Sequence, residues 1–330
     1  MEEKRGIQEV NYEDERGSYH ASIGAKGTMP AISTSTQTIP KAWELAMLAC
    51  WDFGATVPTH YDKPGDPPSK EATIIARVEN PFNEPRISLP GFPGGPEELE
   101  VYRQEVVNGI HNHWIDPKAG KWAYTYHDRI TNWNPQRDKE ALLANEGGML
   151  EKGVNQIDLV IRMLKKDITC KAAQAVTWYA TADPELQGDR PCLQRMWFRV
   201  LEDDGQKYLN LNTHWRSRDL AKAWFMNVYA ITEWQKQIAK RLSEEIREEV
   251  KVGSYIDISD SLHIYGKYFR EVMPEIEKMR TQPIEGDEKK EFKPRVWTSN
   301  HPAFEIMTLE ARTNLAKDLD WYKKGDQKDK

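Results

Sequence analysis

The stretch Arg190-Pro191-Cys192-Leu193-Gln194-Arg195-Met196-Trp197-Phe198-Arg199-Val200 (RPCLQRMWFRV) joins a loop to a run that reads as a β-strand. A lone cysteine follows a proline there and lies between two arginines, and it has two readings. Cysteine is among the most buried residue types, so Cys192 can be a small apolar side chain filling a core. It can also be a nucleophile, because nearby positive charge lowers a thiol's pKa and the end of a strand can expose sulfur to a cleft.

Working outward from that junction, the 330 residues suffice for one large or two ordinary domains with a substantial core. Hydrophobic residues make up 39% and charged residues 30%, the balance of a globular protein with a well-solvated surface. The formal net charge of -6 argues against binding a nucleic-acid polymer, though it leaves room for a local basic pocket that takes one phosphate. Three cysteines (Cys50, Cys170 and Cys192) without a CxxC pair form neither a disulfide framework nor a zinc-finger pattern, so a reducing cytoplasm is the expected location. The N-terminal MEEKRGIQEV lacks the apolar run of a signal peptide, and no run of about eighteen apolar residues could span a bilayer, so no membrane association is expected.

Residues 1–40 are polar and read as an extended or partly ordered lead-in, and structure is expected to start at KAWELAMLACWDFG, where apolar residues recur at helical spacing and Gly54 supplies the stop. HYDKPGDPPSK is a loop and EATIIARVE a strand. LPGFPGGPEELEV places Pro96-Glu97-Glu98 in a first helical turn, where proline fits and acids favour the positive end of the dipole. Val154, Ile157, Val160, Ile161 and Leu164 share one face and predict an amphipathic helix. AAQAVTWYAT, RMWFRVLE and KYLNLNTHW follow as strands, the last two split by the turn Asp203-Asp204-Gly205. A long helix is predicted over about 220–249, then a strand in SYIDISDSLHIYG, and AFEIMTLEARTNLAKDLDWYKK closes the chain as a helix. Helices and strands mix without regular alternation, which predicts one α+β domain around a mixed sheet.

No P-loop, GxGxxG, HExxH or GxSxG occurs, which removes the commonest nucleotide and hydrolase motifs. His111, His113 and His127 lack a carboxylate at ligand spacing, so HNH reads as a solvated pair near a helix end and no metal site is expected. Arg216 and Ser217 at a strand end suit a phosphate, held by a guanidinium fork and a hydroxyl, or equally a surface salt bridge and a helix cap. Asp219 can be the N-cap of the long helix. Asn227, set among Trp224, Phe225, Met226 and Val228, either ties off backbone or faces a nucleobase edge with one donor and one acceptor. His263 and Tyr265, at i and i+2, share one face of a strand.

In order, Pro-Cys, Arg-Ser-x-Asp, an Asn eight residues after that Asp, and His-x-Tyr resemble the thymidylate synthase family, and WYATAD, PCL and SDSLHIY resemble its archaeal-type branch. The resemblance runs from roughly Lys41 to Phe269. It implies a thymidylate synthase-like fold in which a mixed sheet flanked by helices packs back to back in a homodimer. A single catalytic domain would then span 41–323, between a polar N-terminal extension (1–40) and a charged tail (324–330). The implied reaction is reductive methylation of dUMP, with a methylene-tetrahydrofolate or a tetrahydromethanopterin-like donor.

By the same resemblance Cys192 is the nucleophile that adds to pyrimidine C6, which turns C5 into a carbon able to attack the donor. Arg216 holds the phosphate close to the sulfur, and Ser217 adds a hydrogen bond to it. Asn227 reads O4 and N3 of uracil; cytosine-acting relatives carry Asp there. His263 and Tyr265 contact the sugar 3'-hydroxyl, and Asp219 holds the pterin ring. Glu105 is placed as the proton-relaying glutamate and Tyr124 as the tyrosine near the C5 proton, with Tyr126 its close rival. Gln156 fits a family glutamine on the helix before the first strand of the dimer sheet.

The chain departs from the family at Leu193, where bacterial members have His, and at Trp215, where Gln is usual. Lys171 and Ala172 stand where two adjacent arginines from the partner subunit usually meet the phosphate, and the chain ends KKGDQKDK without the usual short apolar C-terminus. A hydroxymethylase, with water capturing the exocyclic methylene, and a non-catalytic nucleotide-binding homologue are the alternatives.

Overall fold

The computed structural model describes residues 6–134, 153–186 and 188–326. In chain order the elements are β1 (Gln8–Asp14), β2 (Gly17–Ile23), β3 (Ala31–Thr36), α1 (Ile39–Phe53), β4 (Ala55–Val57), β5 (Ser69–Val78), β6 (Ile87–Ser88), α2 (Pro96–Asn108), α3 (Tyr126–Thr131) and α4 (Gln156–Lys166). They continue with β7 (Gln174–Val176), β8 (Leu193–Asp203), β9 (Gln206–Trp215), β10 (Arg218–Asp219), α5 (Trp224–Ile246), β11 (Val250–Ile264), α6 (Phe269–Thr281), β12 (Val296–Trp297) and α7 (Pro302–Asp326). The residues group into two compact units, one from Met1–Pro93, Asn210–Val228 and Val252–Ser299, the other from Gly94–Leu209, Tyr229–Lys251 and Asn300–Lys330. The α+β class is as the sequence implies.

The first unit holds a mixed sheet in the order β1-β2-β3-β5-β11. β3 runs parallel to β5, β5 and β11 are antiparallel, and the short β10 runs parallel to β11. Period-two burial aims Ile32, Ala72, Ile74, Ala76, Val78 and Tyr255 into the core. Helix α1 packs on β2, β3 and β5 and is buried from Ile39 through Cys50 except at Lys41. Its Leu45, Met47 and Leu48 each contribute roughly 1.5–3 kcal/mol of burial. Gly54 ends it as expected: its N–H bonds the Cys50 carbonyl at 2.9 Å, and a Cβ there would lie 2.4 Å from that oxygen.

The lead-in differs from its expected form. Residues 8–36 are three strands, because AISTST alternates exposed and buried side chains and its β-branched residues suit a pleated surface. The β1–β2 turn is also anchored. Arg16 is buried and donates from Nη1 to Glu44 of α1 at 3.1 Å and to the Met279 carbonyl at 2.8 Å, while Arg295 grips the same carboxylate through Nε and Nη2 at 2.8 and 3.0 Å. A carboxylate buried in α1 is tolerable because two guanidiniums neutralise it.

In the second unit, α2 begins at Pro96 with Glu97 and Glu98 in its first turn, as the sequence implies. Thr125 Oγ1 caps α3 by accepting from Asp128 N, and Asn155 Oδ1 caps α4 by accepting from Ile157 N and Asp158 N. Asp204 and Gly205 take φ of 45° and 79°, the left-handed pair that a two-residue hairpin between β8 and β9 requires. Two elements are shorter than expected. β7 keeps only Gln174–Val176 of AAQAVTWYAT, because the chain then turns into a loop tied by side chains. The long helix starts at Trp224, since residues 218–219 are β10 and Asp219 organises a turn before the helix. Residues 324–326 of the expected tail belong to α7, and 327–330 lie outside the described residues. Among the described residues no helix is long and apolar enough to cross a membrane.

Candidate active site

In the second unit Cys192 stands directly before β8 and is half-buried, its sulfur 3.8 Å from the Arg190 carbonyl oxygen. The other two thiols differ in setting: Cys170 is half-buried, and burial pushes Cys50 up to about 12, which makes it inert. The amides of Cys192 and Leu193 point at the Tyr126 hydroxyl oxygen, at 3.3 and 3.5 Å. Tyr126 is the first residue of α3, so the Thr125 cap fixes where its ring leaves the backbone. Tyr124, the preferred tyrosine from the sequence, lies with its ring 5.8 Å from that of Tyr126, and burial pushes its phenol far above the usual range. The rival tyrosine therefore meets the backbone of the candidate nucleophile.

Beneath this junction lies a closed polar network. Arg129 is buried; its Nη1 donates to the Thr177 carbonyl at 2.9 Å and to Asp183 Oδ2 at 3.0 Å, and its Nη2 to Asp183 Oδ1 at 2.7 Å. Asp183 also accepts from Tyr179 N at 2.6 Å, and the guanidinium stacks on the Tyr179 ring at 3.9 Å. Thr177 N donates to the Gln194 carbonyl at 3.0 Å, and Thr177 Oγ1 donates to the Leu193 carbonyl. Gln156 of α4 ties both edges of this platform: Nε2 donates to the Arg129 and Val176 carbonyls at 3.1 and 2.8 Å, while Oε1 accepts from Val176 N at 2.9 Å. Arg190 turns its guanidinium to the Asp183 and Pro184 carbonyls, at 3.1 and 3.2 Å. Lys171 is exposed, and its carbonyl accepts from Trp197 Nε1 at 2.8 Å.

Glu105 sits in the last turn of α2, and its Oε2 lies 3.0 Å from His111 Nδ1. This corrects the reading of HNH as a solvated pair: His111 is buried and stacks on Trp114 with ring centroids 3.7 Å apart. The helix ends at Gly109 in the left-handed region, φ 65°, and a Cβ there would fall 2.3 Å from His127 Nδ1, so glycine alone lets the chain turn back onto Glu105.

In the first unit Arg216 and Ser217 leave the end of β9 together, with Arg216 Nη1 donating to Ser217 Oγ at 3.0 Å. Behind them Arg218 is buried. It pairs with Asp257 of β11, donates to Ser259 Oγ at 2.9 Å and stacks 4.1 Å over the Trp215 ring. Asp257 is the hub: Tyr255 donates to it at 2.8 Å, Ser259 at 2.9 Å and Trp224 Nε1 at 3.1 Å. This network fixes β10, and thereby the residues on either side of it. Asp219 Oδ1 accepts from the amides of Ala221 and Lys222 at 2.9 and 3.1 Å, and burial raises its pKa to about 6 against the lowering effect of those bonds. Asn227 is buried in the first turn of α5.

His263 near the end of β11 is buried, which lowers its pKa. Its Nδ1 lies 3.3 Å from the Ser261 carbonyl, which can only accept, and 3.4 Å from the Ser261 hydroxyl, which can do either, so the tautomer that meets the carbonyl carries its proton on Nδ1. Nε2 is then a buried acceptor with no partner among the described residues. Tyr265 stands edge-on to it, with ring centroids 4.4 Å apart. The expected residues thus fall into two sets. One unit holds Cys192, Glu105, Tyr124, Gln156 and Lys171, and the other holds Arg216, Ser217, Asp219, Asn227, His263 and Tyr265. Sequence reasoning missed Arg129, Asp183 and Arg218, whose partners lie at separations that no local pattern marks, and misread His111 as solvated.

Residues 91–295, more than half of the chain, match the family model described as thymidylate synthase. The putative thymidylate synthase of Methanosarcina mazei is 24% identical over 230 residues, which cover 69% of this chain and 87% of that protein. That of Methanosarcina acetivorans is 26% identical over the same shares. The thymidylate synthase of Streptococcus agalactiae is 25% identical over 161 residues, 48% of this chain and 54% of that protein. Fold and match together define a one-carbon transferase that acts on a pyrimidine nucleotide. The chain belongs to the thymidylate synthase family, with relatives in its archaeal branch.

Proposed function

We propose that the protein converts dUMP to dTMP. The observation that carries this reading is the buried Nε2 of His263, an acceptor without a partner beside the Tyr265 ring. A buried acceptor left unmet costs about 1–3 kcal/mol, and a sugar hydroxyl donating to it removes that cost. A methylene-tetrahydrofolate or tetrahydromethanopterin-like donor supplies the one-carbon unit and the hydride when bound. Asp219 suits its pterin ring, because a carboxylate raised to about 6 gains from any N–H that stabilises its ionised form.

In this reading Cys192 adds its sulfur to C6 and leaves again once C5 has lost its proton. Arg216 and Ser217 hold the phosphate, with the partner subunit's Lys171 as a further cation in a homodimer packed back to back. Asn227 complements O4 and N3 of uracil. Glu105 moves protons at O4, and Tyr126, set on the Cys192 amide, or Tyr124 takes part in removing the C5 proton.

The test follows 5-tritiated dUMP, UMP and dCMP with a donor, scoring tritium release and dihydrofolate together. Both signals with dUMP are expected. Tritium release with tetrahydrofolate as the product would replace methylation by hydroxymethylation, and no release with any folate or pterin donor would remove the enzymatic reading. Cys192→Ala is expected to abolish release while the nucleotide still binds.

A further inference from the structure

The Glu105–His111 pair is an open dyad rather than a closed structural bridge. Oε2 of Glu105 meets Nδ1 of His111 at 3.0 Å, and both side chains are mostly buried, at 17% and 7% exposure. Among the described residues Glu105 Oε1 and His111 Nε2 have no hydrogen-bond partner. The Arg129–Asp183 pair of the same unit, by contrast, has both carboxylate oxygens and both terminal guanidinium nitrogens engaged.

The imidazole is also held from several sides. It stacks on Trp114 with 7° between the rings, and Trp122 meets it edge-on, its centroid 5.9 Å away. The turn that carries it is locked by Asn112, whose Oδ1 accepts from Thr125 at 2.7 Å and whose Nδ2 lies 2.9 Å from His127 Nδ1. Burial drives His127 down to about 4, so at neutral pH its ring is uncharged and Nδ1 can accept. A side chain fixed so firmly, against a carboxylate with one oxygen left open, suits orientation.

We propose that His111 is the positioning residue of Glu105: its Nδ1–H holds Oε2, so that Oε1 is the oxygen presented for proton transfer. The inference rests on the proposed reading of Glu105 as the proton relay. Nothing in the spacing of the chain marks it, since the contact exists only because Gly109 reverses the backbone after α2.

The experiment compares His111→Ala, His111→Asn and the unaltered protein in the 5-tritium assay. General acid–base groups contribute about 10²–10⁴-fold, so loss of orientation is expected to lower the turnover of His111→Ala by about 10–100-fold. The nucleotide KM should stay within about threefold, the mark of an interaction absent from ground-state binding. Added imidazole should restore part of the rate, whereas sodium chloride at equal ionic strength should not. His111→Asn, which keeps a donor near the Nδ1 position, should retain most of the rate, and it carries the test if the alanine variant does not fold. Wild-type release with unchanged His111→Ala turnover, or folded His111→Asn no better than alanine, overturns this inference alone. No release from the unaltered protein overturns the reading of the enzyme, and this one with it.

Discussion

Arg129 and Asp183 under the Cys192 junction and His263 in β11 are comparably buried, yet they are opposites in how their polar atoms are met. The first pair is closed, with two carboxylate oxygens answering two guanidinium nitrogens and a backbone amide and a carbonyl completing the set. His263 satisfies one nitrogen from its own strand and leaves the other unmet. On the proposed function, the contrast separates scaffold from binding surface. A buried polar group that is fully answered holds the fold, whereas one left unmet costs stability that a ligand can restore.

The comparison breaks most easily at Asp183. Asp183→Ala leaves the Arg129 charge buried and uncompensated, and a loss of about 3–5 kcal/mol in urea unfolding is expected. A loss below about 1 kcal/mol would show that the network is not the scaffold it looks like. Asp219 offers a second, smaller test through pH. Its carboxyl is near 3.8 in the unfolded chain and about 6 in the fold, so its contribution to stability is fully present below about 4 and is lost as pH rises through 6. Asp219→Asn keeps an acceptor for the two turn amides and should match wild type near pH 4. At pH 7 it should exceed wild type by on the order of 3 kcal/mol. A difference that does not change with pH would contradict the raised carboxyl.

His263→Asn sharpens the open half of the contrast. Unfolding stability should move by less than about 1 kcal/mol, while nucleotide binding weakens about tenfold, the worth of one hydrogen bond. The reverse pattern, a large stability loss with unchanged binding, would make His263 a core residue. At the bottom of the scale, Arg241 and Asp158 form a 2.7 Å pair that is half-exposed on both sides. Arg241→Ala should leave the urea midpoint unchanged within error, because such surface pairs are paid back in solvent.

The same distinction decides what the sequence could reveal. Arg216, Ser217, Asp219 and Asn227 lie within one short run, and His263 and Tyr265 are two residues apart, so their order and spacing are visible in a string of letters. Helices α1 and α4 announce themselves by apolar periodicity, and the β8–β9 turn by its Asp-Gly pair. Arg129 and Asp183 are 54 positions apart, and only the folded chain shows that they belong together. Tyr124 and Tyr126 differ by two positions, and the start of α3 at Tyr126 decides which hydroxyl meets the Cys192 amide. The strands of residues 8–36 were hidden by their composition. Serine and threonine make the segment look like a linker, although their alternation and the reach of Arg16 to Glu44 make it part of the sheet.

On the proposed function, the sulfur of Cys192 bonds transiently to the pyrimidine ring. Incubation with 5-fluoro-dUMP and the one-carbon donor, followed by proteolysis and mass spectrometry, tests it directly. One stable adduct is expected, on the peptide that carries Cys192. An adduct on the Cys170 peptide, or none on any cysteine under conditions where dUMP turns over, would contradict it.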